Sequence, residues 1–285
     1  MPLRYRIARA WPRVGSVTLV ALALLVLFGP VLLLALFSFN DSAIISLPWE
    51  GFTTKWYSAA FGNGEPLDSI VNSLDVAAIV TVVSVVLGSM AAWGITRLKF
   101  VGRTAIAGVH GAVLVVPWLI IGVGGLIFFS QIEWELSLTT ITLMQIVTTF
   151  PLVVAVMSAA LLRFSPSLEE AAVDLGASQM QMLRHIVLPQ IAPSLAASAI
   201  FAFAWSFNNF EISFFTGGYQ QTFPVWVFSV LRHSTNLPIV NAAATVIAGA
   251  QLLLVFGLWW AMKLMNRRGG GDDLALAEIM TGGMR

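Results

Sequence analysis

The sequence predicts an all-α integral membrane protein of six transmembrane helices with both termini in the cytoplasm, and three observations carry that expectation. Hydrophobic residues make up 58% of its 285 residues and charged residues only 10%, with a mean hydropathy of +0.86, a balance far from that of soluble domains. Apolar runs long enough to cross about 30 Å of hydrocarbon recur along the chain. The basic residues fall on alternate connections between those runs. With both termini inside, Arg4, Arg6, Arg9, Arg13, Arg97, Lys99, Arg103, Arg163, Arg184, Lys263, Arg267, Arg268 and Arg285 are cytoplasmic, 13 of the 15, and only Lys55 and Arg232 lie outside, as the positive-inside rule requires.

Residues 1–16 form a basic cytoplasmic segment and 17–39 the first span. The run is too long for a signal-peptide core of about 7 to 15 residues, and no small-x-small site closes it, so it is expected to stay as a span. Gly29-Pro30 is expected to kink it. Residues 40–69 form a polar extracytoplasmic segment in which Trp49, Phe52 and Trp56 fall near one face of a short interfacial helix. The core, 70–265, holds five more spans. The second covers Ile70 to Ile95 and the third Ala105 to Phe129, with Gly122, Gly124 and Gly125 allowing close helix approach. The fourth covers Leu138 to Leu162, with a kink at Pro151, the fifth Ile191 to Phe215, and the sixth Val240 to Met262; between the last two, Gly217 to Leu237 forms an outer segment. A Gly-rich cytoplasmic tail, 266–285, ends the chain.

One polar island, 165–189, interrupts the apolar second half with SPSLEEAAVDLGASQMQMLRHIVLP. It reads as two short helices. Ser165 caps the first with Pro166 at its first position, Gly176 ends it, Ser178 and Gln181 form a capping box for the second, and Pro189 stops that one. Leu168, Ala171, Ala172 and Leu175 recur at helical spacing as one apolar face, leaving Glu169, Glu170 and Asp174 at its rim. A helix that merely lies on a membrane favours a Lys/Arg-rich polar face, whereas this one leads with acids.

The order Glu170, Ala171, Ala172, Gly176, Ile186, Leu188, Pro189 resembles the EAA loop of ATP-binding-cassette (ABC) importer permeases of the binding-protein-dependent Type I, or MetI-like, family. The likeness extends over most of the chain and is nearest to the spermidine/putrescine permeases, through Ser38 to Asn40, the Pro117 region, the loop itself and the PIVNAAAT run entering the sixth span. It implies a bacterial inner-membrane, multi-pass subunit moving a small organic solute inward by alternating access. The implied partners are a second permease, expected to be a different chain, two ATP-binding subunits and an extracytoplasmic substrate-binding protein. The implied coupling residues are Glu169, Glu170, Ala171, Ala172, Asp174, Gly176, Leu188 and Pro189.

The chain has no GxxxxGK[ST] phosphate loop, so ATP and Mg are expected on the partner ATPase, with no cofactor here. No cysteine is present and His110, His185 and His233 lack metal-ligand spacing, so neither a catalytic set nor a metal site is expected. A net charge of +1 gives no reason to expect a nucleic-acid partner. The bilayer is the expected surrounding.

The expected substrate pathway comprises Trp118, Trp205, Asn208, Asn209 and Glu211. Spermidine/putrescine permeases carry acids just after the third-span proline and as a pair in the fifth span, where this chain has Trp118, Asn208 and Asn209. Burying a multiply charged amine without counter-charges is costly, which weakens a polyamine assignment and leaves other amines and zwitterions in view. Permeases of the same family for phosphonate, osmolyte, thiamine or iron compounds are the alternative. A stand-alone channel or secondary transporter leaves the loop motif unexplained. For Glu211 two readings stand, a counter-charge on the solute path or a carboxylate at the outer interface or paired to the second permease. The asparagines read either as part of that path or as hydrogen-bonding links between helices.

Overall fold

A computed structural model describes residues 3–43, 48–62, 64–163, 165–233, 237–257 and 260, with side chains from residue 16 onward. The basic tail residues expected at 263–285 therefore lie outside the described residues, as do the side chains of Arg4 to Arg13. Two compact units divide the chain, 1–64 with 229–250, and 65–228 with 251–285.

In the first unit, α1 (Leu3–Phe37) runs unbroken through Gly29-Pro30. Its apolar portion, Ser16–Phe37, is long enough to cross a membrane. The chain then turns back on itself: Thr53 N–H donates to the Phe39 carbonyl (2.9 Å) and Asp41 N–H to the Gly51 carbonyl (3.0 Å). Phe39 stacks on Phe52 with centroids 5.2 Å apart, and Trp56 Nε1 donates to the Asn40 carbonyl (2.8 Å). Only Trp56 of the three expected interfacial aromatics lies in the short helix α2 (Lys55–Phe61). Trp49 and Phe52 precede it, because the backbone there is committed to the pairing between Asn40 and Phe52.

The second unit is built on α3 (Glu65–Arg97) and α6 (Leu138–Arg163). The two run parallel: Val76 packs with Ile141, Gly88 faces Val153, and Arg97 reaches Leu161. A Cβ on Gly88 would come within 2.8 Å of Val153 Cγ1, so the small residue sets how closely these helices approach. Pro151 sits inside α6 without ending it.

The third apolar run departs from a simple span. It is two helices, α4 (Arg103–Val115) and α5 (Trp118–Gln131), bent by 101° at the break. Val116 is extended there (φ −69°, ψ 128°), the conformation proline imposes on the residue before it. Pro117 has no N–H to continue the ladder.

After α6 come α7 (Pro166–Asp174), α8 (Gln179–Met182), a π-helical turn (Leu183–Val187) and α9 (Leu188–Phe207). Pro189 therefore does not stop a helix. The π turn widens the ladder, Leu188 N–H donating five residues back to Leu183, and the helical run continues from Gln179 to Phe207 with Pro189 in the first turn of α9, where its missing N–H costs little. The run ends at Asn208, before the expected Phe215, and α10 (Glu211–Thr216) follows as a separate short helix. Next come α11 (Phe223–His233), within the expected outer segment, and α12 (Leu237–Gly257). Among the described residues, five helical runs are long and apolar enough to span a membrane, or six with the bent pair counted as one.

Candidate functional site

The polar island is held by one helix end, one turn and one ion pair. Ser165 occupies the N-cap position of α7, yet its side chain makes no cap bond; its Oγ lies 2.7 Å from Ser167 Oγ. Gly176 adopts φ +85°, and Ala177 N–H donates to the Ala172 carbonyl (3.0 Å), a left-handed helix end that glycine forms without a Cβ penalty. The Ser178–Gln181 capping box is present with both bonds made.

Ala172 alone of the predicted apolar face is buried, packed in a core with Ala92, Leu161, Met182 and Val187. Leu168 and Leu175 are 45% and 88% exposed, and Val173 and Met180 are exposed too. Ala171, Glu170 and Asp174 share that open surface, whereas Leu188 and Pro189 have become part of α9. Glu169 lies elsewhere: Arg97 Nε donates to its Oε1 at 2.7 Å, with the two side chains 12% and 13% exposed. An apolar cleft of about 550 Å³, lined among others by Trp93, Arg97, Leu161, Met182 and Ile191, runs beside the pair.

The residues expected on a substrate pathway lie where α5, α9 and α10 meet. Trp118, first residue of α5, meets Trp205 of α9 edge to face with centroids 4.4 Å apart. The Trp205 Nε1 is buried with no partner among the described residues. One turn on from Trp118, Gly122 lies against the carbonyl of Glu211, which a Cβ would approach to 3.0 Å. Glu211 is the first residue of α10 and half-buried, and no ion pair reaches its carboxylate among the described residues.

The hydrogen bonds of the two asparagine side chains run to nearby backbone groups. Asn208 Nδ2 donates to the Ala204 carbonyl (2.8 Å) at the end of α9, and Asn209 Oδ1 accepts from Ile212 N–H (3.1 Å) at the start of α10. Asn209 Oδ1 gives Ile212 N–H an acceptor in place of the carbonyl four residues back that a continuing helix would supply, whereas Asn208 Nδ2 adds a second donor to a carbonyl that already accepts from the Asn208 N–H. The three histidines each turn Nδ1 to the carbonyl four residues earlier, Ile106, Gln181 and Ser229.

Sequence reasoning passed over two residues. Gln145, fully buried in α6, donates from Nε2 to Ser213 Oγ at 3.0 Å and accepts from Ser206 Oγ, so one side chain holds both sides of the break. Its signal was a lone amide between apolar neighbours at membrane depth. Arg97 had been read only as a topological marker. Nothing in sequence links it to Glu169, 72 positions away.

Residues 84–268 match the family described as binding-protein-dependent transport system inner membrane component. The spermidine/putrescine transport system permease protein PotC of Escherichia coli is 31% identical over 247 residues, covering 86% of this chain and 93% of that one. The putrescine transport system permease protein PotI of Escherichia coli is 32% identical over 250 residues, covering 85% and 88%. Among solved structures, a bacterial ABC transporter involved in the import of the acidic polysaccharide alginate superposes with a TM-score of 0.70 at 19% identity, over 93% of this chain and 98% of that one. The chain belongs to the binding-protein-dependent inner-membrane component family, and is a multi-pass inner-membrane permease subunit of an ABC importer.

Proposed function

We propose that this permease imports a small amine or zwitterion, driven by separate ATPase chains that dock on the loop 165–189 at a cytoplasmic end of the bundle. The carrying observation is the open face of that loop, where Leu168, Leu175 and Met180 lie exposed beside Glu170 and Asp174. Ala172 and the Gly176 turn support it from behind. Apolar side chains with an acidic rim on a polar loop are what a soluble partner covers. The coupling set is then Glu170, Ala171, Asp174 and the exposed leucines as contact surface, with Ala172 and Gly176 as support. ATP and Mg belong to the partner, and this chain holds no cofactor. A second permease of different sequence completes the pore, and an extracytoplasmic binding protein delivers the solute.

On the solute side, the relatives carry spermidine and putrescine in their names, which favours an amine. Trp118, Trp205 and Glu211 offer two aromatic faces and a single carboxylate. That set fits a solute with at most one net positive charge, the aromatic faces adding about 0.5 to 2 kcal/mol of cation–π attraction.

The test of docking is chemical cross-linking. A cysteine replacing Leu175, in this cysteine-free chain, is expected to cross-link to the co-expressed ATPase, and Glu170→Lys or Gly176→Leu to abolish uptake while the protein still inserts. An outward-facing residue 175, or full uptake in both variants, would remove the loop from coupling.

A further inference from the structure

Arg97 closes α3, and its guanidinium ties three elements together. Nε donates to Glu169 Oε1 on α7 at 2.7 Å, and a terminal nitrogen donates to the Leu161 carbonyl in the last turn of α6 at 3.0 Å. The cation also lies 5.8 Å from the centre of the Trp93 ring one turn back. The Leu161 carbonyl is one of the four that any helix end leaves without an intrahelical donor. The side chains of the ion pair are about nine-tenths withdrawn from solvent.

Chain connectivity joins α7 to α6 on one side and, through Gly176 and α8, to α9 on the other. No covalent route leads from this loop directly to α3. The apolar packing of Ala172 against the core that includes Ala92 is non-directional and lets surfaces slide. A planar, multi-donor guanidinium held by a carboxylate and a carbonyl fixes orientation as well as distance.

We propose that Arg97 is the positioning residue that makes α3 move with the loop, by locking Glu169 of α7 and the end of α6 into one rigid body. The proposal rests on the docking reading above. Glu169 is thereby withdrawn from the partner-facing surface, and the acidic contact is left to Glu170 and Asp174.

The experiment exploits a property of buried ion pairs: replacing both partners with apolar side chains is often neutral for stability, while it erases orientation. The assembled transporter in lipid is compared as wild type, Arg97→Met/Glu169→Met and Arg97→Lys, with thermal midpoint, ATP hydrolysis and uptake measured together. The double variant is expected to lower the midpoint only slightly, through loss of the bond to the Leu161 carbonyl, while solute moved per ATP hydrolysed falls about tenfold, a coupling loss within the range for network residues. Arg97→Lys keeps the charge but loses the fork, and is expected to give about a threefold fall. A wild-type ratio in the double variant overturns the proposal; should that variant not fold, a wild-type ratio in Arg97→Lys overturns it instead. Absence of the Leu175→Cys cross-link in otherwise wild-type protein is a different failure, that of the docking reading.

Discussion

At the scale of single residues, Gln145 shows how a polar side chain at membrane depth is kept. Its amide satisfies Ser206 at the end of α9 and Ser213 in α10, and Ser213 Oγ in turn donates to the Asn209 carbonyl at 2.8 Å. The break at Asn208-Asn209 is thus braced from the neighbouring helix. Gln145→Leu removes one donor and one acceptor together and leaves the buried Ser206 hydroxyl to find a new acceptor, while Ser213 keeps its bond to the Asn209 carbonyl, at a cost of about 1–3 kcal/mol. The expected outcome is a lower thermal midpoint of the detergent-solubilised protein. An unchanged midpoint in the leucine variant would show that Ser206 re-pairs within its own helix. Sequence reasoning passes over this amide, because Ser206 and Ser213 become its partners only when α9 ends between them.

At the scale of elements, the long runs were legible and the breaks were not. Hydropathy and length locate α3, α6 and α12 within a few residues of where they lie, since a run of apolar residues in lipid must satisfy its own backbone by forming a helix. Proline does not decide where such a helix ends. Pro30, Pro151 and Pro193 lie inside helices, Pro189 is absorbed by a π turn, and Pro117 alone marks a sharp bend. The bend has packing to go with it: α5 lies against α10 and α6, with Gly122 against the Glu211 backbone and Gly125 against Thr216 and Met144. Within the same short run, Gly124 has open space around it. Gly122→Leu is therefore expected to push α5 from α10 and lower both midpoint and uptake, by about 1–3 kcal/mol in stability, while Gly124→Leu is tolerated. Equal damage from both would mean that flexibility of the run, and not close approach, is what the glycines supply.

At the scale of the whole molecule, the loop proposed for coupling and the residues proposed for the pathway lie at separate places along one bundle, and the loop is the more legible of the two. Its motif occupies one contiguous stretch whose caps and glycine turn are local chemistry. The expected pathway draws Trp118, Trp205 and Glu211 from helices distant in sequence, and its asparagines, Asn208 and Asn209, also bond backbone groups at the break. Glu211 is the single carboxylate of that set, and the two indole rings are in edge contact with each other. The relatives named for spermidine and putrescine and the solitary acid pull in different directions, and the function proposed above follows the charge arithmetic. A polyamine brings two or more ammonium groups, and each unmatched one buried at membrane depth costs several kcal/mol, whereas a monoamine, quaternary amine or zwitterion needs one partner at most. Removing that partner by Glu211→Gln is expected to lower uptake efficiency about tenfold or more, equivalent to 1.4 kcal/mol or above, with spermidine competing weakly against wild-type uptake. Full uptake in the Gln variant would take Glu211 off the path. Tight competition by spermidine would mean that the second permease supplies the missing carboxylates, so that the charge of the solute is matched across the pore and not within this chain.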